Sequence, residues 1–288
     1  MADSGKKWLL GCGLGCAGLI VLLVLVIGGG ALFFKDSIDG WREAGRAQTA
    51  LAEAQRELGD FTPAWDGALA TDSIESFLAV QASTAGAATE LVAGFEQLHD
   101  RLTGTSGKLG RVWTTMREGA QVGPRLAHYV RDRTTALLEQ GMSPSEYLYL
   151  HSLIYHCWLG LDPAAGADQV AAMLDEDGVS FRMKVGEGSS RQYESRELAA
   201  QLLHNLHEQH RQWLRAMLRE APSVVGTSQQ QWLDTVQAEL ARFERGTAAV
   251  PWTESFPPPW EAVLASYRSS LLAGWNEHDN LLTLMLLD

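Results

Sequence analysis

The chain has 288 residues, 46% hydrophobic and 20% charged, the balance of a protein that buries a sizeable core as one large domain or two smaller ones. Its formal charge of -12 argues against nucleic acid as a partner, because phosphate binding needs a basic surface that releases counterions and no lysine–arginine cluster is present. Of the three cysteines, Cys12 and Cys16 lie near the start, so Cys157 stands alone in the remainder and no internal disulfide is expected there.

After a short tail, residues 1–7, the segment 8–34 carries no charged side chain. As a helix it would reach about 40 Å at ~1.5 Å per residue, against a hydrocarbon core of ~30 Å, which predicts a transmembrane helix in contact with the lipid bilayer. LIVLLVLVIGGGALFF runs into Lys35 and Asp36 without an Ala-x-Ala cleavage pattern, so the segment reads as a retained anchor. Leu9-Leu10-Gly11-Cys12 loosely resembles the box at which bacterial lipoproteins are acylated, but there the apolar run precedes the cysteine and here it follows. Lys6 and Lys7 beside the short tail favour a cytoplasmic amino terminus, leaving residues 35–288 outside. With the compact Ala/Gly/Leu-rich style of the chain, the expected location is a bacterial inner membrane, single-pass, with the bulk periplasmic. Gly11 and Gly15 form the Gly-x-x-x-Gly spacing that lets membrane helices pack closely.

Residues 35–60 read as a helical stalk, rich in Ala, Glu and Arg and closed by Gly59. The bundle domain, 61–288, opens with the loop DFTPAWDG. A helix follows with apolar residues at Ile74, Phe77, Leu78, Leu91, Val92 and Phe95. A further helix runs from Leu109 to about Gln140, with a break or kink expected near Gly123-Pro124 and closure at Gly141. Ser143-Pro144-Ser145-Glu146 then supplies a cap, a proline at the first helical position and a glutamate placed for a capping box, and Gly160 ends that helix. The stretch near 177–188 reads as a small irregular or short-strand insertion, since VSFRMKV alternates. Helices resume at roughly 191–220, 228–245 and 258–273, separated by APSVVGTS and VPWTESFPPP. The fold class is all-α: one amino-terminal transmembrane helix, then an antiparallel multi-helix bundle.

The helix from Ser143 to Gly160 is apolar on every side, which places it at the centre of the bundle. At about 100° per residue, His151 and His156 point about 140° apart and cannot share a ligand, while Tyr147 and His151 fall on one face and form a candidate ligand contact. In LLHNLHEQHRQWL the same geometry puts Leu202, Leu206, His210, Trp213 and Met217 on a buried stripe. His204 and Glu208 share the opposite face as a candidate surface metal pair, although HEQH is not a zinc-protease motif. Trp252 and Trp260 are candidate ligand-stacking rings or, preferably, parts of a strap over the bundle.

No nucleophile elbow, phosphate loop, dinucleotide fingerprint or calcium loop occurs, so no cofactor is expected and the reading points away from an enzyme. The expected role is a non-enzymatic membrane-anchored protein that binds another envelope protein or itself as a homodimer. The alternative is a domain for a small ligand or metal, using Tyr147, His151, His156 or the His204 region.

Overall fold

A computed structural model describes residues 35–58, 61–103, 108–165, 181–184, 190–193, 195–246 and 248–285. The segment 8–34, with Gly11 and Gly15, lies outside the described residues. Among the described residues no helix is long and apolar enough to cross a membrane.

The described chain is a helical bundle built from two connected parts. In the first, α1 (Lys35–Leu58), α2 (Thr71–Thr103) and α3 (Lys108–Glu139) lie side by side. Gly40 approaches Ala127, and Glu43 pairs with Arg131 at 3.1 Å. The numbers rise together, so α1 runs parallel to α3, and α2 descends between them in sequence. Small side chains make this close approach possible: Ala44, Ala87, Ala88 and Leu91 bury against Val122, Leu126, Tyr129 and Val130. The segment 35–60 is expected as a stalk; its described helix, Lys35–Leu58, packs along α3 with Ala44 buried. Pro124 sits inside α3, which continues through it as one element.

The turn out of α3 follows from one glycine. Gly141 takes φ 61°, and the amides of Gly141 and Met142 return to the carbonyls of Leu138 and Leu137 at 3.1 and 3.0 Å, a Schellman closure that a Cβ would oppose. α4 (Pro144–His151) starts at once, with Ser143 Oγ accepting from the Glu146 amide at 3.0 Å. The glutamate does not complete the box; it accepts from Ser73 Oγ at 3.0 Å and ties α4 to α2.

From Ser152 to Trp158 the helix widens to a π-helix, whose i→i+5 bonding is rare and expensive without tertiary support. It closes where Leu159 N donates to Ile154 O at 2.9 Å and Leu161 N to Tyr155 O at 2.8 Å, with Gly160 at φ 67°. A two-stranded antiparallel ladder follows, β1 (Phe181–Lys184) with β2 (Ser190–Tyr193). The second part contains α5 (Ser195–Glu220) and α6 (Thr227–Arg245), antiparallel because Arg215 pairs with Glu244 while His207 meets Ala248. It ends with α7 (Pro258–Leu264), α8 (Arg268–Gly274) after a single 3-10 turn, and α9 (Glu277–Met285).

The larger core gathers around the α4 and π segment. Ile74, Phe77 and Val80 enter from α2, Leu202, Leu206 and Met217 from α5, and Leu281 and Leu284 from α9. The stretch Tyr147–Tyr155 is buried throughout, the placement its all-round apolarity demands.

Candidate functional site

The π-helix changes which side chains meet. At α-helical pitch His151 and His156 would diverge; the wider turn sets their ring centres 5.5 Å apart, at 71° to one another. The expected divergence of about 140° is therefore corrected, because it assumed 100° per residue across a segment that is not α-helical. His151 is 1% and His156 2% exposed.

Their hydrogen bonds fix which nitrogens carry protons. Asn280, on α9 and wholly buried, donates through Nδ2 to the carbonyls of Pro163 and Ala165 at 3.2 and 3.1 Å. Its Oδ1 is thereby turned to His151 Nε2 at 3.0 Å, which must be the N–H donor of a neutral ring. His156 Nδ1 lies 3.0 Å from the carbonyl of Leu161, so Nδ1 carries that proton and Nε2 is a lone pair. His151 Nδ1 and His156 Nε2 are buried and make no hydrogen bond.

A third buried histidine, His210 of α5, has Nε2 2.6 Å from Ser152 Oγ. Burial drives all three toward the neutral form: His151 well below the usual imidazole range, His156 down to about 4 and His210 down to about 3. For His151 the neighbouring His156 and the Arg133 charge act in the same direction as burial. Cys157 is enclosed too, and burial pushes its thiol up, away from the thiolate that chemistry would require.

Beside the histidines lies a charged group. Arg133 Nη1 donates to Tyr129 Oη at 2.8 Å, and Tyr129 donates in turn to Asp279 Oδ1. The guanidinium also lies 4.6 Å over the Tyr147 ring. Burial works against its charge, but Tyr129, Tyr147 and Asp279 outweigh that and hold Arg133 above its usual pKa. On the other flank, Gln81 Nε2 donates to Tyr155 Oη at 2.8 Å and Tyr155 donates to the carbonyl of Leu271 at 3.0 Å.

Tyr147 and His151 do share a face, their rings nearly parallel at 6.2 Å. The expected stripe of α5 is buried, with Leu206 at 0% and Trp213 at 3% exposure. His204 is exposed, whereas Glu208 is half-buried and paired with Arg211. Among the described residues no three His, Cys, Asp or Glu side chains gather as a metal cluster.

Trp252 and Trp260 are buried in a tryptophan cluster with Trp232, ring centres 5.1–6.0 Å apart. Trp260 Nε1 donates to the carbonyl of Gly67 at 2.6 Å and Trp232 Nε1 to that of Trp65 at 3.0 Å, clamping the loop before α2. Trp252 takes a left-handed φ of 61°, a costly backbone for an aromatic residue, held where Glu239 Oε1 accepts its amide at 2.6 Å. An enclosed void beside His210, Trp213 and Trp260 measures about 10 Å³, at most the room of one water.

Sequence reasoning left out Ser152, Asn280, Asp279, Arg133 and Tyr129. A buried-stripe argument reaches His210, but nothing in spacing links His151 to a residue 129 positions later. Comparison with protein-family models, curated proteins and solved structures returns no match.

Proposed function

We propose that the chain is a single-pass membrane protein, anchored through residues 8–34 with its helical domain in the bacterial periplasm, that works by binding another envelope protein or a second copy of itself. One observation carries the non-catalytic part of this reading: the side chains best suited to chemistry are enclosed in the core. Ser152 is 0%, His151 1%, His156 2% and His210 3% exposed, and each has a ring nitrogen or hydroxyl engaged by another core residue. Groups enclosed in this way are not open to a substrate, which turns the reading toward the surface. The apolar run 8–34 supports the anchor.

Among the described residues, two exposed large apolar side chains suit cross-linking, Val224 between α5 and α6 at 86% and Leu272 on α8 at 47%. The test fuses a periplasm-dependent enzyme and a cytoplasm-dependent fluorescent protein, separately, after Asp288, and places a photo-reactive residue at 224 or 272 in cells. The expected result is activity of the enzyme fusion alone and a discrete cross-linked species at one position. A fluorescent cytoplasmic fusion overturns the location. Hydrolase activity abolished in Ser152→Ala overturns the non-catalytic reading.

A further inference from the structure

We propose that the paired ends of α2 and α3 form a second membrane contact, a cationic tip resting on the anionic headgroups of the bilayer in which residues 8–34 are anchored. The inference rests on the anchor proposed above, but not on which side of the membrane the domain lies.

The register of the three-helix layer carries it. Gly40 approaches Ala127, Glu43 pairs with Arg131, and Leu51 packs in the cluster that holds Ala136 and Leu137, so α1 and α3 keep an offset of 87 to 88 positions. Lys35, the first residue of α1, therefore stands level with Val122 or Gly123. α3 begins at Lys108, 14 residues before Val122, a length of about 21 Å at ~1.5 Å per residue. α2 matches it: Leu91 lies in one cluster with Val122, and the helix continues for 12 residues to Thr103. The paired ends thus project about 20 Å past the level at which the chain enters α1 from the segment 8–34.

Charge singles out the same end. Arg101 stands in the last turn of α2, and Lys108, Arg111 and Arg117 stand in the first three turns of α3. No acidic residue occurs between Asp100 and Glu118, so this stretch carries a formal +4 in a chain of -12 and leaves -16 for all the rest. The four cations are separated in sequence; the antiparallel pair of helices gathers them at one end of the layer. Leu109, Val112, Trp113 and Met116 recur at steps of three, one and three, an apolar stripe that includes an indole, which with flanking cations is the composition of a membrane interface. An anionic surface repels the acidic remainder and attracts this tip, so the field orients the domain as well as holding it.

The depth follows from cost and length. Were residues 8–34 to continue α1 as one straight helix across the bilayer, the tip would lie about 20 Å inside a hydrocarbon core of ~30 Å, with four charges in lipid. The lengths fit a contact at the surface instead. At ~1.5 Å per residue, the 20 residues 8–27 already span ~30 Å as a helix. The seven residues 28–34, which open with Gly28, Gly29 and Gly30, reach at most about 25 Å when extended, enough to lead from the bilayer surface to Lys35 while the tip meets the headgroups. The anchor keeps the tip close to the bilayer, so a contact too weak to recruit a free protein is sustained.

The test uses the full chain in vesicles of neutral phosphatidylcholine, or of the same lipid mixed with anionic phosphatidylglycerol. In a Cys12→Ala, Cys16→Ala, Cys157→Ala background, a spin label is attached at Thr114→Cys on α3, or at Val224→Cys, a site 86% exposed in the second part of the bundle. Label depth is read from collisions with oxygen and with a water-soluble nickel complex, and flotation after an alkaline wash reports the anchor separately. The expected result is a chain that floats with both lipids, a label at 114 in the headgroup layer of anionic vesicles only, and a label at 224 in water throughout. Arg101→Gln, Lys108→Gln, Arg111→Gln and Arg117→Gln together, or salt at about 1 M where the screening length is ~3 Å, should lower that contact at least about tenfold. Should the four-fold variant fail to fold, the salt and neutral-lipid comparisons on the unsubstituted tip decide. A floating chain whose label at 114 is as water-exposed as the one at 224 overturns the proposal and leaves the anchor standing. A label at 114 shielded equally in neutral and anionic vesicles shows that the segment 8–34 covers this end, and overturns it too. A chain that washes off the vesicles overturns the anchor and the contact together.

Discussion

Acidification from pH 7.5 to 5.0 should remove about 6 kcal/mol of folding stability, and three side chains account for it. His151, His156 and His210 are neutral in the folded chain because burial holds their pKa values far down, to about 4 for His156 and about 3 for His210. In the unfolded chain each titrates near 6.5. Between those values the unfolded state binds the proton and the folded state does not, so stability is complete above pH 6.5 and falls as pH drops toward the folded values. At pH 5.0 each histidine contributes a loss of about 2 kcal/mol, and a typical domain has only 5–15 kcal/mol in all. Carboxylates with ordinary values near 3.9–4.3 remain mostly ionised down to pH 5, so this window isolates the imidazoles. The measurement is urea unfolding of the chelator-treated protein at both pH values, followed by tryptophan fluorescence. His210→Gln lowers stability at both, but its loss on acidification should be about 2 kcal/mol smaller than that of the wild type. A wild-type stability that changes by less than about 1 kcal/mol would refute the argument, since all three histidines would then titrate in the native chain nearly as they do in the unfolded one.

Gly67 has φ 71° and lies against the Trp232 ring, where an added Cβ would fall 2.5 Å from a ring carbon. Gly67→Ala should therefore cost about 1–2 kcal/mol for the left-handed backbone and about 1–3 more for overpacking, read as a lowered urea midpoint. Asn280→Ala leaves the His151 N–H unpaired in the core and removes the donor to the part-buried carbonyls of Pro163 and Ala165; a loss of about 1–3 kcal/mol for the buried N–H is expected in the same assay, and an unchanged midpoint counts against the hydrogen-bond assignment. Arg133→Met removes one member of a buried charged group and should destabilise by about 3–5 kcal/mol, whereas adding Asp279→Leu should recover much of that loss, as a double-mutant cycle by thermal melting will show.

The elements most legible in the sequence were those with chemical punctuation. Gly141 had to leave the helix in a left-handed conformation, and Ser143-Pro144 had to start one, so that junction is read within a residue. The α5 stripe was equally plain, because 3.6-residue spacing of Leu202, Leu206, His210, Trp213 and Met217 admits one buried face. The π-helix was not legible. Ser152 to Trp158 contains nothing that distinguishes i→i+5 from i→i+4 bonding, and the wider register is held by side chains elsewhere, including Gln81 on Tyr155 and His210 on Ser152. Hence the divergence of the His151 and His156 rings expected from spacing alone does not hold, although their burial does. The partners Asn280 and Asp279 escaped for a related reason: residues 277–285 carry too short a pattern to announce a helix, and their importance lies in contacts more than a hundred positions away.

That last helix explains how the two parts of the bundle are held in register. α2 and α3 each enter both apolar clusters: Phe77 and Leu137 belong to the larger, Leu91 and Tyr129 to the smaller. Apolar faces of this kind permit sliding, because burial is non-directional. α9 removes the freedom with adjacent polar residues of opposite aim, Asp279 to Tyr129 in the smaller cluster and Asn280 to His151 in the larger. Leu281 and Leu284 pack in the larger cluster while Leu282 touches the smaller, so the apolar contacts of α9 are shared in the same way. A shift of α9 by one turn would preserve most of that apolar burial yet strand a carboxylate and an amide in the core, each without its partner. The polar groups thus select one arrangement among several that hydrophobic packing alone would accept, and they hold His151 and His156 side by side as a consequence.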